Sequence, residues 1–400
     1  MHIYVPLHPT TNRQLPAMAS SPPFRLPLAV VLLLAIICVL LASPSCHADD
    51  LTATMTNEHE KEHQLMMMMM DRFHRWMATH NRSYASADEK LRRFEVYRSN
   101  MEFIEATNRN GSLTFKLGET PFTDLTHEEF LATYTGDVRL PPERRGMQDD
   151  SDEEDAVITT SAGYVAGAGA GRRTAAVPES VDWRKEGAVT PAKHQGQCAA
   201  CWAFAAVAAI ESLHKIKGGD LISLSEQELV DCDDTGEATC SKGYSDDAFL
   251  WVSKNKGIAS DLIYPYVGHK ESCKKQLLGV HNATVRGVVT LPENREDLIM
   301  AAVARQPVAV MFDAGDPLFQ NYRGNGVYKG GTGCSTNVNH ALTIVGYGTN
   351  HPDTGENYWI AKNSYGNLWG DNGFVYLAKD TADRTGVCGL AIWPTFPTIR

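Results

Sequence analysis

Between residues 201 and 256 the apolar side chains recur at helical spacing; from residue 284 onward they come in short strand-like bursts parted by glycine-rich turns. That single change of period restricts the fold more than anything else in the chain. Helices first and strands afterwards, in one stretch, point to an α+β fold with a helical half and a β half, and a cleft between halves is a usual place for a site. Residues 201–217 contain no proline or glycine. They put Trp202, Ala206, Ala209, Ile210, Leu213 and Ile216 near one face before Gly218-Gly219 ends the helix. Ser225 to Glu228 has the form of a capping box ahead of Leu229 and Val230, and 246–255 reads as a further helix. Strands are expected at 285–289, 308–312, 341–346, 358–361 and 374–377.

The chain ahead of this region has a different composition. Residues 26–42 are apolar and uncharged, with Arg13 and Arg25 before them and Ala48 as a plausible cleavage point. Residues 1–48 therefore read as a signal peptide with an N-terminal extension, the run being short for a membrane anchor. Met18 is an alternative start. Residues 49–134 form a helical module. It holds five consecutive methionines (66–70), a helical pattern over 71–108 that restarts after Ser86, a short strand at 114–118 and a short helix at 126–134. On the second helix Leu91, Phe94, Tyr97, Met101 and Ile104 share a face, with Glu89 and Arg93 one turn apart. Residues 135–176 carry Pro141-Pro142, six carboxylates within 149–155 and an alternating Ala/Gly run. They read as a flexible, cleavable linker. The remainder divides into a helical domain, 177–290, and a β domain, 291–400.

Composition excludes some roles. The net charge is −11 and no basic patch with interleaved aromatics occurs, so nucleic acid is not an expected partner. No second apolar run is long enough to span a bilayer. Nine cysteines are present; Cys38 and Cys46 leave with the signal peptide. Seven in an oxidising compartment suggest three bridges and one free thiol, either reactive or a buried spectator.

The chemistry gathers at three places. Cys201 lies in the first turn of its helix, where unpaired N–H groups favour a thiolate. His340 opens a strand, and a turn at 350–355 leads to the next one. If these strands fold back near 351–352, His340 and Asn363 come out opposite each other, and Asn363 can orient an imidazole that serves Cys201 as base.

The segment Gln195-Gly196-Gln197-Cys198-Ala199-Ala200-Cys201-Trp202 resembles the nucleophile segment of the papain-like cysteine proteases. Residues 178–184 are similar to that family's mature N-terminus. Asn363-Ser364-Tyr365-Gly366 with Trp369-Gly370 resembles its asparagine loop. Glu89, Arg93, Val96, Tyr97, Asn100, Ile104 and Asn108, then Gly118, Thr120, Phe122 and Asp124, follow its two propeptide motifs. The resemblance implies a papain-like two-domain fold, with a helical left domain, an antiparallel β-barrel right domain and a helical inhibitory propeptide. It implies a cysteine endopeptidase with Cys201 as nucleophile, His340 as base and then acid, Asn363 as its orienter, and Gln195 in the oxyanion hole. It implies the pairs Cys198–Cys240, Cys232–Cys273 and Cys334–Cys388. Substrate would be held by Gly243, Tyr244, Met311, Val338, Ala341, Trp369 and Trp393, with an apolar preference two residues before the scissile bond.

No metal or organic cofactor is implied. The expected partners are polypeptide substrates, the chain's own propeptide and cystatin-type protein inhibitors, with a monomer as the working unit. The expected location is the secretory pathway, ending in a vacuole or lysosome-like compartment or outside the cell. Asn81, Asn110 and Asn282 lie in N-glycosylation sequons. Protonation of propeptide carboxylates is the expected acid trigger for activation. Ala199 stands where the family has glycine, and Tyr365 where it has a tryptophan covering the His–Asn pair. Those departures motivate the alternative of a catalytically weak homologue that binds peptides or inhibitors. An exopeptidase would need a segment closing one end of the cleft, and none is visible.

Overall fold

The computed structural model describes residues 48–136, 177–234 and 238–399. Residues 1–47 of the expected signal peptide, with Cys38 and Cys46, and residues 137–176 of the expected linker lie outside them. The chain divides into two compact units, one up to Met69 and one from Met70 to Arg400. Among the described residues no helix is long and apolar enough to cross a membrane.

Helix α1 (Ala48–Thr79) starts well before the position expected for it, residue 71. Its second-unit end supplies Phe73 and Trp76, which pack on Tyr97 with ring centroids 5.1 and 5.5 Å apart. Helix α2 (Ala87–Asn110) is capped by Ser86, whose hydroxyl accepts from the Glu89 N–H at 3.1 Å, and Gly111 ends it in the left-handed region at φ 67°. Phe94, Tyr97, Met101 and Ile104 are buried, but Leu91 is 56% exposed, so the apolar face begins one turn later than its periodicity suggests. The expected strand at 114–118 is reduced to one bridge, Leu117 to Tyr322. Its partner segment turns away at Gly324 and Asn325, both with positive φ, so the ladder cannot extend. Helix α3 (His127–Tyr134) has a complete capping box between Thr126 and Glu129.

Helix α4 (Cys201–Ile216) is the central element, buried at every position from Cys201 to Leu213. Its alanines let a strand approach closely enough for Thr343 Oγ1 to donate to the Ala205 carbonyl at 3.0 Å. Helix α5 (Glu226–Cys232) shows only half of its expected capping box. Ser225 Oγ accepts from the Glu228 N–H, but the Glu228 carboxylate turns to the Ala259 N–H at 2.7 Å. An otherwise unserved backbone donor wins over the helix's own N-terminus. Helix α6 (Ser245–Lys254) packs on α4.

The strands are β1 (Val181–Asp182), β2 (Gly287–Thr290), β3 (Val308–Phe312), β4 (His340–Gly348), β5 (Tyr358–Lys362), β6 (Phe374–Ala378) and β7 (Thr395–Thr398). They form one antiparallel ladder in the order β2-β7-β3-β4-β5-β6, with β1 added beside β4. A short helix, α7 (Glu296–Val303), and the strand β7 are absent from the sequence expectation. Among the described residues three disulfides, Cys198–Cys240, Cys232–Cys273 and Cys334–Cys388, fasten loops to these elements, and Cys201 is free and buried.

Candidate active site

The first turn of α4 meets the start of β4. Cys201 is N1 of a helix with no side-chain N-cap, so its amides face the thiol rather than a capping oxygen. His340, on β4, is fully buried. The β4–β5 ladder pairs Thr343 with Lys362, which aligns Asn363 with Leu342. The expected register is therefore two residues out: a turn centred nearer residue 353 offsets the strands by three residues, and a bulge between Ile344 and Gly346 takes one of them back. Asn363 still reaches His340 diagonally, with His340 Nε2 and Asn363 Oδ1 2.8 Å apart.

The protonation pattern follows from the backbone. The Ser364 N–H donates to the same Asn363 Oδ1 at 2.7 Å, which identifies that atom as the acceptor. His340 Nε2 must then carry the proton, leaving Nδ1 as a bare lone pair with no hydrogen-bond partner. Tyr365 lies over the imidazole, 4.8 Å between ring centroids and 25° from parallel, so a smaller ring still covers the His–Asn pair.

Gln195 is held at three points. Its N–H donates to the Ser364 carbonyl at 2.8 Å, its carbonyl accepts from Tyr266 Oη at 2.7 Å, and its Oε1 accepts from Ser364 Oγ at 2.6 Å. Nε2 is thereby turned outward, where it donates to the carbonyl of Tyr134 at 3.2 Å. Tyr134 ends α3, and the chain beyond it stays on the cleft: the Gly136 N–H donates to the Asn339 carbonyl at 2.7 Å. The upstream module thus lays a main-chain carbonyl on the Gln195 amide.

With that module in place the pair is electrostatically quiet. Burial pushes the Cys201 thiol up to about 12, against the weaker pull of the Ala341, Trp202 and Cys201 amides. Burial also holds His340 down to about 4, opposed by its bond to Asn363. Thiol and neutral imidazole are the favoured forms at neutral pH.

Six of the expected substrate-contacting residues come together. Tyr244, Met311, Val338 and Trp393 form one buried cluster, and Gly243 and Ala341 join Tyr244, Met311 and Trp393 around a depression with room for about one water molecule. A Cβ on Gly243 would come within 2.3 Å of the Trp202 indole, so only glycine fits. Trp369 is set apart from these, packed against Phe319 and Tyr365 with its indole N–H on the Phe319 carbonyl. Sequence reasoning missed Ser364 as the residue that aims Gln195, and Tyr134 and Gly136 as the ones that fill the cleft. Ser364 had a signal, its place beside Asn363; the other two had none.

Residues 177–398 match the model of the papain family cysteine proteases, and residues 73–130 that of the cathepsin propeptide inhibitor domain. The chain belongs to the papain family of cysteine proteases. It is 44% identical over 331 residues to the senescence-specific cysteine protease SAG39 of Oryza sativa subsp. indica, covering 82% of this chain and 90% of that one. Among solved structures, a recombinant stem bromelain precursor is 39% identical with a TM-score of 0.69, covering 83% of this chain and 99% of its own. The bromelain protease of Ananas comosus in complex with the E64 inhibitor is 44% identical with a TM-score of 0.52, covering 56% of this chain and all of its own. The upstream helical module is accordingly an inhibitory propeptide, and the chain is the precursor of a papain-like cysteine protease.

Proposed function

We propose that this protease is an endopeptidase in which Cys201, His340, Asn363 and Gln195 do the chemistry. The observation that supports the reading is the bonding of His340: Nε2 is bound to Asn363 Oδ1, which also accepts from the Ser364 N–H, and Nδ1 is left without a partner. Once the propeptide is gone, Nδ1 takes the Cys201 proton. The thiolate adds to the scissile carbonyl, and Gln195 Nε2 with the Cys201 N–H receives the oxyanion. His340 then returns the proton to the departing amine as the C–N bond breaks, and water hydrolyses the thioester.

The depression lined by Tyr244, Met311, Ala341 and Trp393 would take an apolar side chain two residues before the scissile bond, and its small volume favours a short one. Cys198–Cys240 holds the nucleophile loop in place. We also propose a signal peptide ending near Ala48, a cleaved linker, and transit through the secretory pathway to a vacuole-like compartment or the exterior. Asn81 and Asn110 are exposed and suited to glycosylation. Asn282 is half-buried and its Oδ1 accepts from the Ser260 N–H at 2.8 Å. Cystatin-type inhibitors would compete for the same cleft.

The test is labelling of the processed protein with E64 alongside a peptide-library cleavage profile. One covalent adduct on Cys201, absent in Cys201→Ser, together with internal cleavages is the expected result. An unlabelled protein that still binds peptides would mean the catalytically weak homologue instead, and cleavage confined to chain ends would mean an exopeptidase.

A further inference from the structure

Two side chains, not one, grip the propeptide carbonyl in the cleft. The Tyr134 oxygen accepts from Gln195 Nε2 at 3.2 Å and from Tyr365 Oη at 3.2 Å. That oxygen stands in for the carbonyl oxygen of a bound peptide. Gln195 is the donor the proposed mechanism assigns to the oxyanion, so a hydroxyl as second donor on the same oxygen occupies a position the mechanism does not yet use.

Tyr365 is built to hold that hydroxyl still. Its ring is stacked on His340 and backed edge-on by Trp369 at 5.5 Å, whose own indole is tied to Phe319. Its backbone bridges to His194. On the other side Phe122, Phe130 and Tyr134 of the propeptide meet the ring edge-on, at 5.1, 5.7 and 6.1 Å. When the propeptide leaves, those three contacts go and the hydroxyl loses its acceptor. The packing that fixes the ring from below stays. A preorganised donor facing the cleft then remains beside Gln195.

We propose that Tyr365 is a catalytic residue whose hydroxyl is a further donor, alongside Gln195 Nε2, to the carbonyl oxygen of the scissile bond. This rests on the reading of Cys201, His340 and Gln195 given above. The hydroxyl donates a hydrogen bond and keeps its proton, so no atom is transferred. Its bond strengthens as the carbonyl oxygen gains charge during addition of the thiolate, and it weakens again when the thioester forms.

Tyr365→Phe removes the oxygen and keeps the ring. In the processed enzyme, with active sites counted by E64 titration, it is expected to lower kcat/KM about tenfold. A peptide aldehyde adds to the thiol and places a tetrahedral oxygen in the same spot, so its affinity should fall by the same factor. Alkylation of Cys201 by iodoacetamide occurs at a saturated carbon and builds no such charge. Its rate, and the acid limb of the pH profile, should stay as in the wild type. Unchanged kcat/KM and aldehyde affinity would overturn the proposal. So would a parallel drop in alkylation rate or a moved acid limb, which would assign Tyr365 to packing on His340. A wild-type enzyme that takes no E64 would instead refute the underlying site, and the role of Tyr365 with it.

Discussion

Ser364 Oγ donates to Gln195 Oε1 at 2.6 Å, and that bond decides which end of the Gln195 amide faces the cleft. The Gln195 backbone is held separately by the Ser364 carbonyl and Tyr266. Ser364→Ala should therefore leave the loop in place and let only the amide rotate. A fall in kcat/KM of about tenfold is expected, with E64 labelling retained. Steady-state kinetics on the processed variant checks it; unchanged kinetics would mean that Gln195 needs no steering.

Gly136 threads between two carbonyls of the mature domain. A Cβ there would lie 2.9 Å from the Ser241 oxygen and 3.2 Å from that of Ala199. Gly136→Val should lift the propeptide from Asn339 and expose Cys201 before any cut is made. The precursor should then react with iodoacetamide at pH 7 at least about tenfold faster than wild type, a shift equivalent to about 1.4 kcal/mol. Mass spectrometry of the intact precursor reads it directly.

Acid activation should begin at a histidine before it reaches the carboxylates. Burial lowers His80 to about 4, with Arg82 and Arg323 pushing the same way. A depressed base stabilises the docked propeptide fully above its free value of about 6.5, and that stability drains away as pH falls toward 4. Glu89 is held below the usual range by Arg92 and Arg93. Glu129 is also held low, by the Thr126 amide and the same arginines, despite the opposing effect of burial. Their contribution is lost only below about pH 4. The wild-type precursor should process with a midpoint between about 4 and 6.5, and His80→Gln should move that midpoint toward 4. Processing assayed from pH 3 to 7 would reject the idea if both precursors shared one midpoint.

Glu211 joins the two halves of the protease from inside. It is buried and accepts from Thr190, Lys193 and the Leu224 N–H, with Lys362 of β5 at 3.7 Å. Glu211→Gln leaves the buried Lys362 and the half-buried Lys193 ammonium groups with less negative charge between them. A loss of about 3–5 kcal/mol is expected. Thermal unfolding of the Cys201→Ser precursor measures it without self-digestion.

The sequence was most legible where one local force dominates. The strand 308–312 was expected at its observed bounds because every side chain in it is buried and apolar. Helix α4 was legible for a similar reason. The register of β4 on β5 was not, since the centre of the turn between them is set by how the sheet packs and leaves no composition signal. Helix α7 hid because its eight residues are mostly apolar and sit between two strands. Glu228 was read as half of a cap, but a distant amide at Ala259 claims it. Within the site, residue types and order were readable. What could not be read was the direction each polar atom faces, which depends on Ser364, Tyr266 and Tyr134 arriving from elsewhere in the chain.

Strand β1 places Val181 and Asp182 against Tyr347 and Gly346, and Tyr347 Oη also holds the segment ahead of them by donating to the Pro178 carbonyl at 2.8 Å. A chain end made by the proposed cut upstream of residue 177 would thus already be sewn into the sheet. Maturation need not rebuild anything. The protease domain is finished while still locked, and the proposed cut would remove a covalent tether to the lock while these stitches stay in place.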